Sequence, residues 1–344
     1  VKNARVVIRT HGGPEVLGVV EEDMPTPGPG EVRVKILATG VAFADILMRY
    51  GLYPGVPALP FAPGYDIVGD VDALGEGVSN LSIGDRVAAL TQWGGYARYL
   101  CLPASRLTPV PAQLDPAEAV SLVLNYTTAY QMIHRLAVLK SGRRMLVHGG
   151  AGGVGTAALQ LGRLADLEMY ATASRGKHDL ITALGARPID YRGDDFVARV
   201  MQMTENQGVD AALDPVGGTN WWRSYKTLRS RGAQPGGMLV GYGISAALRN
   251  GRPSKLVGAA SFALLGLLSL FPDGKRAHWY NIASLKKKRP EWFNEDLTQL
   301  FALLAERKIQ PEIAERLPLR EAARAHELLE QARVTGKIVL LCQE

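Results

Sequence analysis

The stretch His148-Gly-Gly-Ala-Gly-Gly-Val-Gly155 limits this chain more than any other, because five of its eight residues have no side chain. Glycine permits positive φ and lets the main chain approach a ligand or a neighbouring element. The flanks set the context. Met145-Leu-Val-His148 is a short apolar run with strand character, and Thr156 to Ala165 repeats apolar residues at helical spacing. The glycines therefore join a strand to a helix, and Gly150-Ala-Gly152-Gly153-Val154-Gly155 satisfies G-x-G-x-x-G at that junction. Gly150 suits the tight turn, Gly152 the approach of a pyrophosphate, and Gly155 the close packing of helix on strand. Free N–H groups and a favourable dipole at the helix start complete a site for a dinucleotide.

The surrounding rhythm supports a doubly wound α/β sheet. Strand patterns at Glu168–Ser174, Pro188–Tyr191, Val209–Asp214 and Met238–Gly243 alternate with helices ending near Gly185, opening at Asp194 and running from Trp221 to Arg229. Residues 1 to about 125 read differently. Glu31-Val-Arg-Val-Lys-Ile36 alternates, Pro25-Thr-Pro-Gly-Pro-Gly30 supplies turns, and one helix interrupts at Phe43–Arg49, which predicts a compact antiparallel domain. The tail carries a helix from Asn294 with Leu297, Leu300, Phe301 and Leu304 on one face, another from Arg320 to Arg333, and a closing strand Ile338–Leu341 of the kind that rejoins an earlier sheet.

At 344 residues the chain accommodates two cores. A net charge of +6, spread along the chain, gives no nucleic-acid footprint, and the run Lys286-Lys-Lys-Arg289 reads as a solvated loop. Cys101 and Cys342 form neither a disulfide framework nor a metal-ligand pattern. Charges in the N-terminal stretch, where a signal peptide needs an apolar core, point to a cytoplasmic location. Leu256 to Phe271 is sixteen residues without a charge, closed by Pro272-Asp-Gly274. That is shorter than the ~20 apolar residues of a membrane span, which leaves a buried or interface helix, with membrane-surface contact as the rival reading.

The end of the second strand reports on the dinucleotide. A site selective for NAD places an acidic residue about 20 residues beyond the glycines. Here stands Ser174-Arg175-Gly-Lys177. A hydroxyl and two cations suit a 2′-phosphate, so NADPH is expected; the plainer reading makes Arg175 and Lys177 the start of a solvated helix.

These residues together resemble the medium-chain dehydrogenase/reductase superfamily, in its zinc-independent quinone oxidoreductase branch. The resemblance covers nearly the whole chain: Phe43-Ala-Asp45 with Arg49 and Gly51-Leu-Tyr53, Pro63-Gly64, Gly84-Asp-Arg-Val87, Gly94-Gly-Tyr-Ala97, Asn125-Tyr-Thr-Thr-Ala-Tyr130, the glycine loop and Thr335-Gly-Lys337. Asn125-Tyr126, Ser174 with Lys177-His178, Pro188-Ile-Asp-Tyr191 and Asp214-Pro-Val-Gly-Gly218 are most like the VAT-1 homologues. The resemblance implies a discontinuous GroES-like catalytic domain, residues 1–125 and 284–344, and a Rossmann NADPH-binding domain, residues 126–283. It also implies a homodimer through an edge strand near Arg276–Ile282. Thr128 is implied to meet the nicotinamide amide and Tyr191 the adenosine phosphate, with Gly241, Tyr242, Gly243 and Lys337 towards the nicotinamide end.

Zinc-dependent relatives carry Gly-His-Glu where this chain has Gly64-Tyr65-Asp66, and a cysteine near Ala42 or Phe43. Tyrosine and phenylalanine do not replace those ligands. The six histidines show no metal-ligand spacing, and each reads as a structural or surface residue. Without a Lewis acid, hydride addition to the β-carbon of an enone or quinone is the easier chemistry, with the protein orienting the acceptor and supplying a proton. Tyr53 is the candidate proton donor, packing being its other reading. Ala42, Asp45 and Tyr65 are assigned to the substrate pocket, where many relatives have asparagine in place of Ala42. The expected function is NADPH-dependent reduction of quinones or α,β-unsaturated carbonyls. The rival is an NADPH-binding, VAT-1-like protein with little turnover that acts at membranes or with protein partners.

Overall fold

The computed structural model describes residues 2–232, 235–249 and 251–343. The chain divides into two compact units, one of Val1–Thr127 with Lys286–Glu344, the other of Thr128–Leu285.

In the first unit the long strand Glu31–Val41 is the organising element. It pairs antiparallel with Asp66–Leu74, with Tyr99–Pro103 and with the closing strand Lys337–Leu341, which sets Ile338 opposite Val41. The tail of the chain thereby completes a sheet begun near its start. Alternation in Glu31–Val41 buries Val32, Val34 and Ile36 against Ile67, Val87, Tyr96, Ile338 and Leu340. The helix expected from Asn294 begins a turn earlier: it spans Pro290–Ala305, opened by Pro290 in its first turn.

In the second unit six strands form one parallel sheet: β1 (Arg144–His148), β2 (Glu168–Ala173), β3 (Ala186–Asp190), β4 (Ala211–Asp214), β5 (Met238–Gly241) and β6 (Arg276–Trp279). Their spatial order is 3-2-1-4-5-6. That is the dinucleotide-binding order, with its reversal between β1 and β4, where ligands bind beyond the carboxyl ends of the strands. The helices are α1 (Gly153–Leu164), α2 (His178–Ala183), α3 (Phe196–Met203), α4 (Thr219–Lys226) and α5 (Lys255–Ser269). α3 is capped by the Asp195 carboxylate on the Val197 amide, one residue later than the pattern suggests. Trp221, fully buried, packs against Phe262 and Trp279.

One sequence expectation needs correction and another is narrowed. Lys286 is not in a solvated loop: it lies on the helix Ile282–Lys288 with its ammonium 4.0 Å from the centre of the Phe293 ring, and burial pulls its pKa down to about 8. The apolar segment 256–271 is helical but only one stripe, Gly258, Ser261, Leu265 and Leu268, is buried. Leu256, Leu267 and Leu270 are 83%, 62% and 80% exposed, so its own unit does not bury this helix. Among the described residues no helix is long and apolar enough to cross a membrane.

Candidate functional site: a glycine loop and a tyrosine pair

The glycine loop follows β1, the central strand at the switch point. Gly152 is the N-cap of α1, so the amides of Gly153, Val154 and Gly155 have no carbonyl of their own helix to bond. The three motif glycines lack a side chain for different reasons. A Cβ on Gly155 would strike the Gly149 carbonyl, and one on Gly150 would sit 2.7 Å from the Ala171 Cβ and 3.0 Å from the Ile181 Cδ1. Both positions are therefore closed by the protein's own packing. A Cβ on Gly152 would meet only the Gly149 oxygen at 3.4 Å, an ordinary contact, and Gly152 is exposed. The protein leaves that space open, and a phosphate group is what the exposed amides beside it suit.

At the end of β2, Ser174 and Lys177 are half-buried and Arg175 is exposed. Burial, and then the nearby Arg192 guanidinium, lower the Lys177 pKa. Arg192 reaches the Tyr191 hydroxyl at 3.3 Å and lies 5.6 Å from its ring centre. Ser174, Lys177, Tyr191 and Arg192 thus gather on one edge, where an anion would relieve the repulsion between two cations. The cation Arg192 is a member of this group that the sequence reading missed, although it directly follows Tyr191.

Thr128 is buried in the short helix Thr127–Tyr130. Gly241 ends β5, and a Cβ there would lie 2.7 Å from Trp221; one on Gly243 would lie 2.7 Å from the Pro215 carbonyl oxygen. Their bareness has a packing cause. Tyr242, half-buried between them, donates its amide to the Asp214 carbonyl at 3.1 Å.

In the other unit the helix Phe43–Arg49 and the turn before Asp66 bring two tyrosines together. The Tyr53 and Tyr65 hydroxyls are 2.7 Å apart and their rings meet edge to face. Tyr65 is buried, Tyr53 half-exposed. Burial drives the Tyr65 pKa far up, with Tyr53 adding to the rise and a hydrogen bond from Gln92 opposing it. The Tyr65 oxygen accepts from the Gln92 side chain, which fixes the ring, and either hydroxyl of the pair can donate to the other. Gln92 holds a left-handed backbone at φ 68°, uncommon for a residue with a side chain. No motif in the sequence pointed to it.

Asp45 and Lys337 are both buried, each bonded to groups of its own unit. Asp45 is wholly buried, with one carboxylate oxygen on the Ala42 amide at 2.8 Å and the other on the Gly64 amide at 3.0 Å. It opens the helix Phe43–Arg49 as half of a capping box, since Ala42 has no side-chain acceptor to return the bond. Burial, and then Asp66, raise its pKa to about 7 against the pull of those amides. Its carboxylate is committed to backbone and presents no surface to a substrate. Lys337 is likewise buried, its ammonium 3.1 Å from Asp66, whose other oxygen accepts the Gly40 amide. A Cβ on Gly40 would overlap that ammonium.

Two family models match stretches of the chain. Residues 28–112 match the alcohol dehydrogenase GroES-like domain and residues 184–340 the zinc-binding dehydrogenase domain. A quinone oxidoreductase of Pseudomonas aeruginosa is 32% identical over 340 residues, 98% of this chain and 99% of that protein. The synaptic vesicle membrane protein VAT-1 homolog of Rattus norvegicus is 33% identical over 92% of this chain and 78% of its own length. The chain belongs to the medium-chain dehydrogenase/reductase superfamily, in its quinone oxidoreductase branch. A solved quinone oxidoreductase of this superfamily, from Escherichia coli and in complex with NADPH, superposes with a TM-score of 0.87 at 29% identity, covering 98% of this chain and 100% of that one.

One of the matched domains of this superfamily is described as zinc-binding, and the residues here do not fit that metal. Tyr65 is a phenol tied to Tyr53 and Gln92, Asp66 is neutralised by Lys337, and among the described residues no three His, Cys, Asp or Glu side chains are grouped to hold an ion.

Proposed function

We propose that this protein is an NADPH-dependent reductase of quinones or other α,β-unsaturated carbonyls that works without zinc. The observation that carries the reading is the open space at Gly152: the packed interior requires glycine at 150 and 155, whereas at 152 the fold itself would admit a methyl group. A bare residue there serves a pyrophosphate lying on the amides of Gly153, Val154 and Gly155. Ser174, Lys177 and Tyr191, joined by Arg175 and Arg192, hold the 2′-phosphate, and Thr128 with residues 241–243 serves the nicotinamide end. NADPH bound in the related Escherichia coli quinone oxidoreductase supports this assignment.

When bound, the reduced nicotinamide supplies a hydride for the β-carbon of the acceptor. The Tyr53 hydroxyl, hydrogen-bonded to Tyr65 and half-exposed, supplies the proton. Tyr65 and Gln92 orient that hydroxyl, and Ala42 leaves room where an asparagine amide would stand. In the assembled protein the outer edge of β6, last in its sheet, is the surface for a homodimer in the cytoplasm.

Calorimetry with NADPH and NADH, followed by turnover on an enone and quinone panel, tests the reading. Tyr53→Phe should lower kcat about a hundredfold, the scale of a positioned proton donor. Absence of NADPH binding by the folded chain refutes the reading, and turnover unchanged in Tyr53→Phe removes Tyr53 from it. A second reading draws on the exposed Leu256, Leu267 and Leu270: a VAT-1-like protein that binds the cofactor but acts at a membrane surface. Flotation with liposomes in the absence of turnover favours it.

A further inference from the structure

His148, the last residue of β1, reads from the sequence as an ordinary buried histidine, yet it lies at the switch point with both ring nitrogens bonded. Its Nδ1 is 3.0 Å from the Thr172 Oγ1 on β2, and its Nε2 is 2.9 Å from the Ser224 Oγ on α4. Thr172 Oγ1 in turn meets the Gly149 amide at 3.3 Å, and Ser224 Oγ meets an Asp214 carboxylate oxygen at 2.6 Å.

The chemistry of these groups fixes every direction. An ionised carboxylate only accepts, so Ser224 donates its single hydrogen to Asp214. The Ser224 oxygen must then accept from His148, which makes histidine the Nε2–H tautomer. Its Nδ1 therefore accepts from the Thr172 hydroxyl, and the Thr172 oxygen accepts from Gly149. One directed chain of hydrogen bonds results: Gly149 amide to Thr172 to His148 to Ser224 to Asp214. Burial keeps the imidazole neutral, and Phe196 packs edge to face on it.

Each end of the chain holds a loop. At one end is the first residue of the glycine loop, whose next amide, that of Gly150, is held by the Thr172 carbonyl at 3.0 Å. At the other end Asp214 accepts the Val216 amide at 2.7 Å, the Gly217 amide at 3.3 Å and the Asn220 side chain at 2.8 Å, and so shapes the turn that follows β4. The two loops follow adjacent strands at the reversal in strand order.

We propose that His148 is a positioning residue: in its Nε2–H form it ties the glycine loop to the turn after Asp214, so that both are set before a dinucleotide arrives. The pyrophosphate then binds to amides already in place, and a cut anywhere along the chain weakens cofactor binding, even at Ser224, three hydrogen bonds from Gly149. The cofactor part of this inference rests on the proposed function; the tautomer does not.

Two measurements on the full chain test it. The 15N–1H spectrum of the imidazole is expected to show His148 as the Nε2–H tautomer in the cofactor-free protein; the Nδ1–H tautomer overturns the proposal whatever the protein binds. Second, Thr172→Val and Ser224→Ala each remove one hydroxyl and with it two of the chain's hydrogen bonds. The loosened loop predicts an increase of about two- to tenfold in the Kd for NADPH. The loss should be equal for NADH, so that the preference between the two is kept, and in turnover it should fall on KM for cofactor more than on kcat. Thr172→Ser, which retains the hydroxyl, should bind as the parent chain does, and Ser224→Ala decides the point if the valine variant does not fold. NADPH binding as tight in both cut variants as in the parent chain overturns the proposal. No NADPH binding by the parent chain defeats the functional reading instead, and leaves the tautomer to decide the hydrogen-bond chain.

Discussion

The molecule buries a histidine in each of its two units, and their surroundings are opposite. His148 has both nitrogens bonded, in a chain that ends on a carboxylate itself satisfied by four donors. His326 shares its Nε2 with the Tyr96 hydroxyl at 3.0 Å, while its Nδ1 has no hydrogen-bond partner among the described residues, nor do Nε and Nη1 of the buried Arg49 beside it. Arg49 meets Glu330 at 2.5 Å through Nη2 alone. A saturated network positions its members at little cost, whereas a buried cation with two idle nitrogens is a charge that the fold tolerates through one carboxylate and the face of the Tyr50 ring. The unit with the glycine loop is built for placement, and the other carries an electrostatic liability around the helix Phe43–Arg49.

The sharpest way to break this contrast is to remove that partner. Glu330→Ala leaves Arg49 charged and buried and takes the acceptor from Tyr50 as well. It should cost about 3 to 5 kcal/mol of stability, read by chemical denaturation. A loss below about 1 kcal/mol would mean that water reaches Arg49 freely and that the two units do not differ as described.

Acid gives the next largest effect. Burial first, then the Arg49 charge, depress the pKa of His326 from 6.5 to about 3. The folded state therefore favours the neutral ring, and its contribution is complete above pH 6.5 and is lost as the pH falls towards 3, amounting to a few kcal/mol. Asp45 acts in the opposite sense. Its pKa, raised from 3.8 to about 7, makes its contribution largest below 3.8 and lost as the pH rises through 7. The two partly cancel in the parent chain, so the measurement is a difference: His326→Asn should flatten the loss of stability between pH 6 and 4 relative to the parent. An identical slope in both proteins would show that His326 titrates as if exposed.

The same contrast marks how far the sequence could be read. The strand, glycine loop and helix announce themselves because their signals are local: a strand run, a glycine pattern and a helical repeat within about twenty residues. The closing strand at Lys337–Leu341 is equally local as a pattern, though its partner, Glu31–Val41, is some 300 residues away. What stays hidden is convergence. Thr172, Ser224 and Asp214 lie on different elements, and nothing in their neighbourhoods says that they meet His148. Lys286 stands in a run of four cations, where composition favours solvent and only the fold places Phe293 beneath its ammonium. Asp45 and Lys337 are named by resemblance, which carries positions across without their surroundings, and only the fold makes one a helix cap and the other half of a buried ion pair.

Two glycines sharpen the comparison within the loop. Gly155→Ala must move the Gly149 carbonyl, which predicts a loss of about 1 to 3 kcal/mol and, through the strained loop, weaker cofactor binding. Gly152→Ala has room, and stability should stay within about 0.5 kcal/mol of the parent while NADPH affinity falls at least about tenfold. Thermal denaturation with and without NADPH separates them. Equal losses of stability would show that both glycines serve packing and would take away the main support for the nucleotide site.

The smallest effect lies where the chain is most exposed. Lys177 is half-buried and near Arg192, while Arg175 is exposed to solvent on the same edge. An anion beside Lys177 meets a charge that is partly desolvated, whereas contacts from the exposed Arg175 and Arg192 are weakened by solvent and salt. Lys177→Ala should therefore lower NADPH affinity about fivefold to tenfold and leave NADH little changed, while Arg175→Ala should lower it about twofold. Because the charge attraction is screened, the Lys177 effect should shrink between 50 and 500 mM salt, by an amount calorimetry at about ten times the Kd resolves. If Lys177→Ala weakens NADPH and NADH alike, the lysine meets the pyrophosphate or the sugar, and discrimination between the two cofactors passes to Tyr191 and Arg192.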